Sequence, residues 1–269
     1  DEARAAVLRF FNADPAEYDV TFTSNATGAL KLVGESFPFE PGGRLLLTYD
    51  NHNSVNGIRE FARARGAAVT YLPVYSPELR VDAGEVREEL DRPGGGAARL
   101  FAYPAQSNFS GVQHPLEWVA WARDRGWHVV LDSAAFAPTN RLDLAEVRPD
   151  FVPLSFYKMF GYPTGIGALV FRHDALRVLR RPWFAGGTIT VASVQGEGWH
   201  HLAPGHAGFE DGTVDYLGLP AVAIGLDHLA SVGIEAIHER VMALAGWLVQ
   251  QLTSLTHSDG SRLARVFGP

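Results

Sequence analysis

The 269-residue chain has no cysteine, which removes disulfides, thiolate zinc sites and a cysteine nucleophile from these residues. No apolar run approaches the ~18 residues that span a bilayer, so a transmembrane helix is not expected. The basic and aromatic clustering of a nucleic-acid binder is missing too: 23 Lys and Arg stand against 30 Asp and Glu, with a net charge of −7 and a pI near 5.8. The arginines of "FARARG" and "VLRRPW" read as solvated faces. There is no start methionine and no signal peptide. Asp1 opens directly into helical periodicity and "RLARVFGP" reads as a strand entering a turn, so a fragment of a cytoplasmic protein is expected.

At 46% hydrophobic and 20% charged, the chain can bury a large core as one domain, or one and a fraction. Seven apolar runs of strand length stand out: "DVTFTS", "RLLLTY", "AAVTYLPV", "ARLFAYP", "WHVVLDS", "DFVPLSF" and "GIGALVF". Several are near-continuous in Val, Leu and Phe, as in strands covered on both faces. Helical periods separate them, in "ATGALKLVGESF", "SVNGIREFARARG", "AGEVREELDR" and "PLEWVAWARDRG". This alternation predicts an α/β fold with a mainly parallel, doubly wound sheet. From Tyr216 about 40 residues are helical in period, read as a long helix that bridges two domains or packs on the same sheet. The glycines of "RPGGGAARL" precede a strand and read as a surface connection, not a phosphate loop.

In a doubly wound sheet, ligands bind beyond the carboxyl ends of the strands. "TSNATGALKL" follows the first strand, where small and hydroxyl residues opening a helix suit an anion, although Ser24 or Asn25 also reads as a plain N-cap. His52 follows the second strand, and its imidazole can stack on a flat ligand. Gln106, Ser107 and Asn108 follow the fourth in a turn context. Asp132 ends the fifth, where a carboxylate leaving a buried strand requires a partner. Lys158 stands after the sixth, 26 residues beyond Asp132, walled by Phe156, Tyr157, Met159 and Phe160. A salt bridge would explain the Asp132 and Lys158 pair alone. A lysine, a carboxylate, an anion site and a stackable ring together meet the needs of pyridoxal phosphate.

In order, "TSNATGALKL", "DNHNSV", "YPAQSNFSG", "VVLDSAAF", "SFYKMFGYPTGIGALV" and "FEDGT" resemble the class V aminotransferase-fold enzymes, which include cysteine desulfurases, and within them the aminotransferase-like domain of molybdenum cofactor sulfurases. The resemblance implies a fold type I large domain over residues 1–230 and the start of an incomplete small domain over 231–269. It implies that Lys158 forms the Schiff base and moves the substrate's α-proton, that Asp132 pairs with the pyridinium nitrogen and that His52 stacks on the ring. Asn108 would bond the phenolic oxygen. Thr27, the backbone of Ala26, Ser155 and Tyr157 would hold the phosphate, with Thr213 contributed by a neighbouring subunit of a homodimer. Ala135 and Tyr157 replace a glutamine and a histidine of many desulfurases, as in the sulfurase branch.

The function so implied is an L-cysteine desulfurase or sulfurtransferase whose sulfur acceptor is undefined. The alternatives are a class V aminotransferase, lyase or epimerase without sulfur transfer, and an inactive scaffold. His200, His201 and His206 give no expectation of a metal site, because adjacent histidines on a regular element cannot both face one ion. "FAGGTITVASVQG" reads as a loop near the active site or as a turn before a helix.

Overall fold

A computed structural model describes residues 1–96, 98–162, 164–196 and 198–268. Its helices are α1 (Glu2–Phe10), α2 (Ala26–Ser36), α3 (Asn53–Asn56), α4 (Ile58–Ala64), α5 (Ala83–Asp91), α6 (Trp118–Asp124), α7 (Leu144–Val147), α8 (Phe156–Phe160), α9 (His173–Leu176), α10 (Pro220–Val232) and α11 (Ile234–Ser254). The seven expected strands are β1 (Tyr18–Thr23), β2 (Arg44–Thr48), β3 (Ala68–Leu72), β4 (Arg99–Pro104), β5 (His128–Asp132), β6 (Phe151–Ser155) and β7 (Gly167–Arg172). They form one sheet in the order β1-β7-β6-β5-β4-β2-β3. Only β7 runs against its neighbours β1 and β6; the other pairings are parallel.

Alternate residues of each strand feed two cores. Leu46, Phe101, Val129, Val152 and Val170 face one cluster, while Leu45, Leu100, Val130, Phe151 and Leu169 face the other. Both faces are therefore dry, which accounts for the unbroken apolar runs. Because β1 and β6 both oppose β7, they run in the same direction. The carboxyl ends of β1, β2, β4, β5 and β6 thus share one edge of the sheet.

Three expectations are corrected. The helical stretch after Tyr216 is two helices bent by 70° at Gly233, whose φ of +89° suits glycine. Neither helix alone is long and apolar enough to cross a membrane. α10 packs on α1 and α8, whereas α11 buries no side chain. The Phe184–Gly196 stretch precedes no helix: it contains β8 (Ile189–Ala192), which pairs with β9 (His200–Leu202) in an antiparallel hairpin. Lastly, Arg181 of "VLRRPW" is not solvated. Its side chain is 0% exposed, paired with Asp211 at 2.8 Å and set between the rings of Trp183 and Phe209. The flat, weakly hydrated guanidinium tolerates such burial when paired and stacked.

Candidate active site

At the shared strand edge the loops enclose a cavity of about 190 Å³. Asn25, Ala26 and Thr27 enter it after β1, His52 and Ser54 after β2, Gln106 and Asn108 after β4, Asp132 and Ala135 from β5, and Ser155, Tyr157 and Lys158 from β6. Every site residue expected from the sequence lines this cavity except Thr213. That residue sits on a larger cavity of about 500 Å³ with Lys31, Glu35 and Asp211. Volume would select the larger space, but the lysine, the buried carboxylate and the helix N-terminus converge in the smaller one. None of Phe184–Gly196 lines the Lys158 cavity.

Lys158 is half-buried, not enclosed. α8 is a single turn, so Phe156 and Met159, three apart, share the face that enters the core. Lys158 falls on the other side, and Tyr157 is 43% exposed. The lysine amine makes no ion pair among the described residues, so the simple salt bridge to Asp132 is not formed.

Asp132 is 6% exposed. Burial pushes its carboxyl up from the ordinary range, opposed by the Ala134 N–H and the charges of Lys158 and His52. The Ala134 N–H donates to Oδ1 at 3.1 Å, and Oδ2 has no hydrogen-bond partner among the described residues. A desolvated carboxylate with one open oxygen on a cavity is a seat for a cationic N–H donor.

The expected anion site lies where two helices start. Asn25 caps α2 by accepting from the Gly28 N–H at 2.9 Å, and the Ala26 N–H donates to Ser155 Oγ, ahead of α8, at 3.0 Å. Thr27 Oγ1 lies 2.7 Å from Ser54 Oγ, which adds a second hydroxyl. The eleven-residue α2 directs its positive dipole end at this cluster. Gly167 of β7 makes the arrangement possible: a Cβ there would fall 2.5 Å from the Asn25 backbone and 2.6 Å from the Leu154 carbonyl. Gly167→Ala is expected to push the α2 terminus off β7, costing about 1–3 kcal/mol in stability and weakening phosphate binding. Chemical denaturation and phosphate titration would check this.

His52 is exposed, and its Nδ1 accepts from the Ser54 N–H at 3.1 Å, which fixes the ring at the cavity rim. Behind it lies a pair that the sequence reading missed. His114 Nε2 meets Asp50 Oδ2 at 2.8 Å with both side chains 2% exposed, and the imidazole stacks on Trp118. Ser107 Oγ donates to the Asp50 carbonyl at 3.4 Å, tying the β2 loop that carries His52 to the β4 loop that carries Asn108. Asp50 carries the sequence signal used for Asp132, a carboxylate leaving a buried strand. His114, 64 residues away, carries none.

The three clustered histidines do not converge. His206 pairs with Asp19 at 2.8 Å, while His200 packs on Phe184 and His201 on Trp199.

The model of the aminotransferase class-V family matches residues 1–263. Molybdenum cofactor sulfurase of Arabidopsis thaliana is 35% identical over 301 residues, covering 99% of this chain and 36% of the relative. The Homo sapiens molybdenum cofactor sulfurase is 36% identical over 285 residues, covering 99% and 32%. The chain thus spans about a third of the length of the curated relatives it matches. Among solved structures, the apo cysteine desulfurase of Thermococcus onnurineus NA1 superposes with a TM-score of 0.82 at 26% identity, covering 93% of this chain and 61% of that one.

Proposed function

The chain belongs to the aminotransferase class-V family, and from that premise we propose that it binds pyridoxal 5'-phosphate and takes sulfur from L-cysteine. The observation that carries this reading is the buried Asp132 carboxylate on the same small cavity as the Lys158 amine, with neither Oδ2 nor the amine paired among the described residues. The donor set fits the cofactor. Asp132 would hold the ring nitrogen, Ala26, Thr27 and Ser155 the phosphate with Tyr157 beside them, Asn108 the phenolic oxygen and His52 the ring face.

Pyridoxal phosphate supplies an electron sink for the charge left when a substrate loses its α-proton. The protein's own contribution is positional. Lys158 accepts and returns that proton as a general base and acid. Burial raises the Asp132 carboxyl pKa, and a cationic ring N–H facing it would favour the ionised form, so cofactor affinity and carboxylate charge are linked. The L-cysteine C–S bond breaks, sulfur passes to a thiol as a persulfide, and L-alanine leaves. No thiol exists among these 269 residues, so the acceptor lies outside them.

Asp132→Asn separates the two roles. Without cofactor at neutral pH the variant is expected to melt above the wild type, because a destabilised buried charge has gone. Turnover is expected to fall about 10²–10³-fold, by analogy with removing one preorganised electrostatic group. Calorimetry beside a desulfuration assay reads both.

The wider reading is tested by titrating the chain with pyridoxal phosphate and following near-ultraviolet and visible absorbance. A Schiff-base band that shifts with L-cysteine, with sulfide or persulfide and L-alanine as products, is expected. A shift without sulfur release would move the assignment to transamination or another class V reaction, and no band at all would overturn it.

A homodimer is part of the proposal. Thr213 lies on an exposed loop beside Tyr216 and Leu217, 67% and 82% exposed, which supports its completing a partner's phosphate site. The break at Gly233 and the uncovered α11 support a change of domain at the end of α10, a few residues beyond the proposed boundary at 230/231.

A further inference from the structure

Gln106 stands two residues past β4 on the wall of the Lys158 cavity, with no part in the reading above. Its amide belongs to a chain of three carboxamides. Asn140 Nδ2 lies 3.0 Å from the Phe136 carbonyl. A carbonyl can only accept, so this contact fixes which end of Asn140 is nitrogen. Asn140 Oδ1 then accepts from Gln113 Nε2 at 2.9 Å. Asn140 Nδ2 and Gln113 Nε2 both donate to Gln106 Oε1, at 3.2 and 3.3 Å.

The polarity of Gln106 is thus set by the Phe136 carbonyl through the Asn140 side chain. Oε1 is occupied twice. Nε2 is the end without a partner among the described residues. The support is firm: Asn140 is buried, Gln106 and Gln113 form an antiparallel bridge, and the His114 N–H bonds the Ala105 carbonyl at 3.0 Å. Rotating the amide would set its NH₂ against two donors, so the site presents a donor of fixed polarity to whatever enters.

We propose that Gln106 is a binding and specificity residue whose Nε2 donates a hydrogen bond to an anionic oxygen of the group bound beside Lys158. Two oxygens share that chemistry, the carboxylate of the amino-acid substrate and the phenolate of the cofactor. The proposal rests on the cofactor reading. A hydrogen bond to a charged acceptor corresponds to about 10- to 100-fold in affinity.

The test uses two variants. Gln106→Glu keeps the shape and an oxygen for Asn140 and Gln113 but turns a second oxygen toward the ligand. Gln106→Leu removes the donor without adding charge. Thermal melting reports the fold, and absorbance titrations give the dissociation constants of pyridoxal phosphate, then of L-cysteine and of cysteamine, which lacks the carboxylate. If the acceptor is the substrate carboxylate, both variants bind L-cysteine about 10- to 100-fold more weakly, Gln106→Glu the worse, with cysteamine and cofactor within about twofold. If it is the phenolate, the loss falls on the cofactor. Variants that melt and bind all three ligands as the wild type does overturn the proposal while leaving the Lys158-dependent band, and the cofactor reading, intact. A wild type that forms no such band overturns both.

Discussion

Lys158→Ala is expected to lose the lysine-dependent visible band completely and to lower turnover about 10²–10⁴-fold, the range for a missing general acid and base. Its fold should survive. The side chain is half-buried and its amine makes no ion pair among the described residues, so melting should change by no more than about 0.5 kcal/mol, as at unconstrained positions. That contrast makes the result interpretable, because lost function in a protein that melts normally cannot be ascribed to unfolding. Absorbance, differential scanning calorimetry and product analysis on one preparation read all three quantities. A band that persists in the variant would show that another amine carries the cofactor and would sink the assignment of Lys158.

The second large effect lies behind the cavity. His114→Ala would leave the Asp50 carboxylate buried at 2% side-chain exposure without its 2.8 Å partner. Removing one member of a buried pair costs about 3–5 kcal/mol, and a domain of this size loses about 2–4 °C in melting temperature per kcal/mol. The pH dependence should also change sign. In the wild type, burial raises the Asp50 pKa, but the His114 hydrogen bond and charge outweigh it, and the net value lies below the ordinary 3.8. A depressed carboxyl pKa contributes stability that is complete above about pH 4 and is lost as pH falls through the folded value. In His114→Ala the two largest opposing influences are gone, and burial, the largest of all, is opposed only by the smaller hydrogen bonds of Thr48 and Ser107. The folded pKa then lies above the unfolded one, and the variant gains stability as pH falls toward 4. Urea denaturation at pH 7 and pH 4.5 checks this: the gap between the proteins should narrow at the lower pH. Parallel pH curves would refute the charge-pair account.

All seven strands of the main sheet were legible in the sequence: most are buried on both faces and so cannot alternate with polar residues, while the half-exposed edge strand β3 shows only as an apolar run of strand length. The same rule places Asp132, His52 and Lys158 at one edge from the sequence alone, since polar residues just after buried strands have nowhere else to be. Arg181 was misread because its burial depends on Asp211, thirty residues on, and on rings whose convergence no local window reveals. His114 stayed hidden for the same reason. Gly233 was visible as a glycine, but helical periodicity continued on both sides of it, and only its left-handed dihedral turns the chain. Gln106 reads in the sequence as turn chemistry, since the polarity of an amide is a property of its neighbours.

The site draws on five loops between Asn25 and Lys158, joined only through a sheet whose strand order departs from chain order. Its two central groups, Asp132 at the end of β5 and Lys158 in α8 just beyond β6, are joined through β5 and β6, which pair with each other. Such a constellation has no local precursor: no single βα unit holds both the carboxylate and the amine. Contacts between residues distant in sequence form slowly during folding, so cofactor capture should follow sheet assembly in time. In a refolding experiment the lysine-dependent colour would therefore act as a clock for the last strand pairing, lagging the recovery of helical circular dichroism.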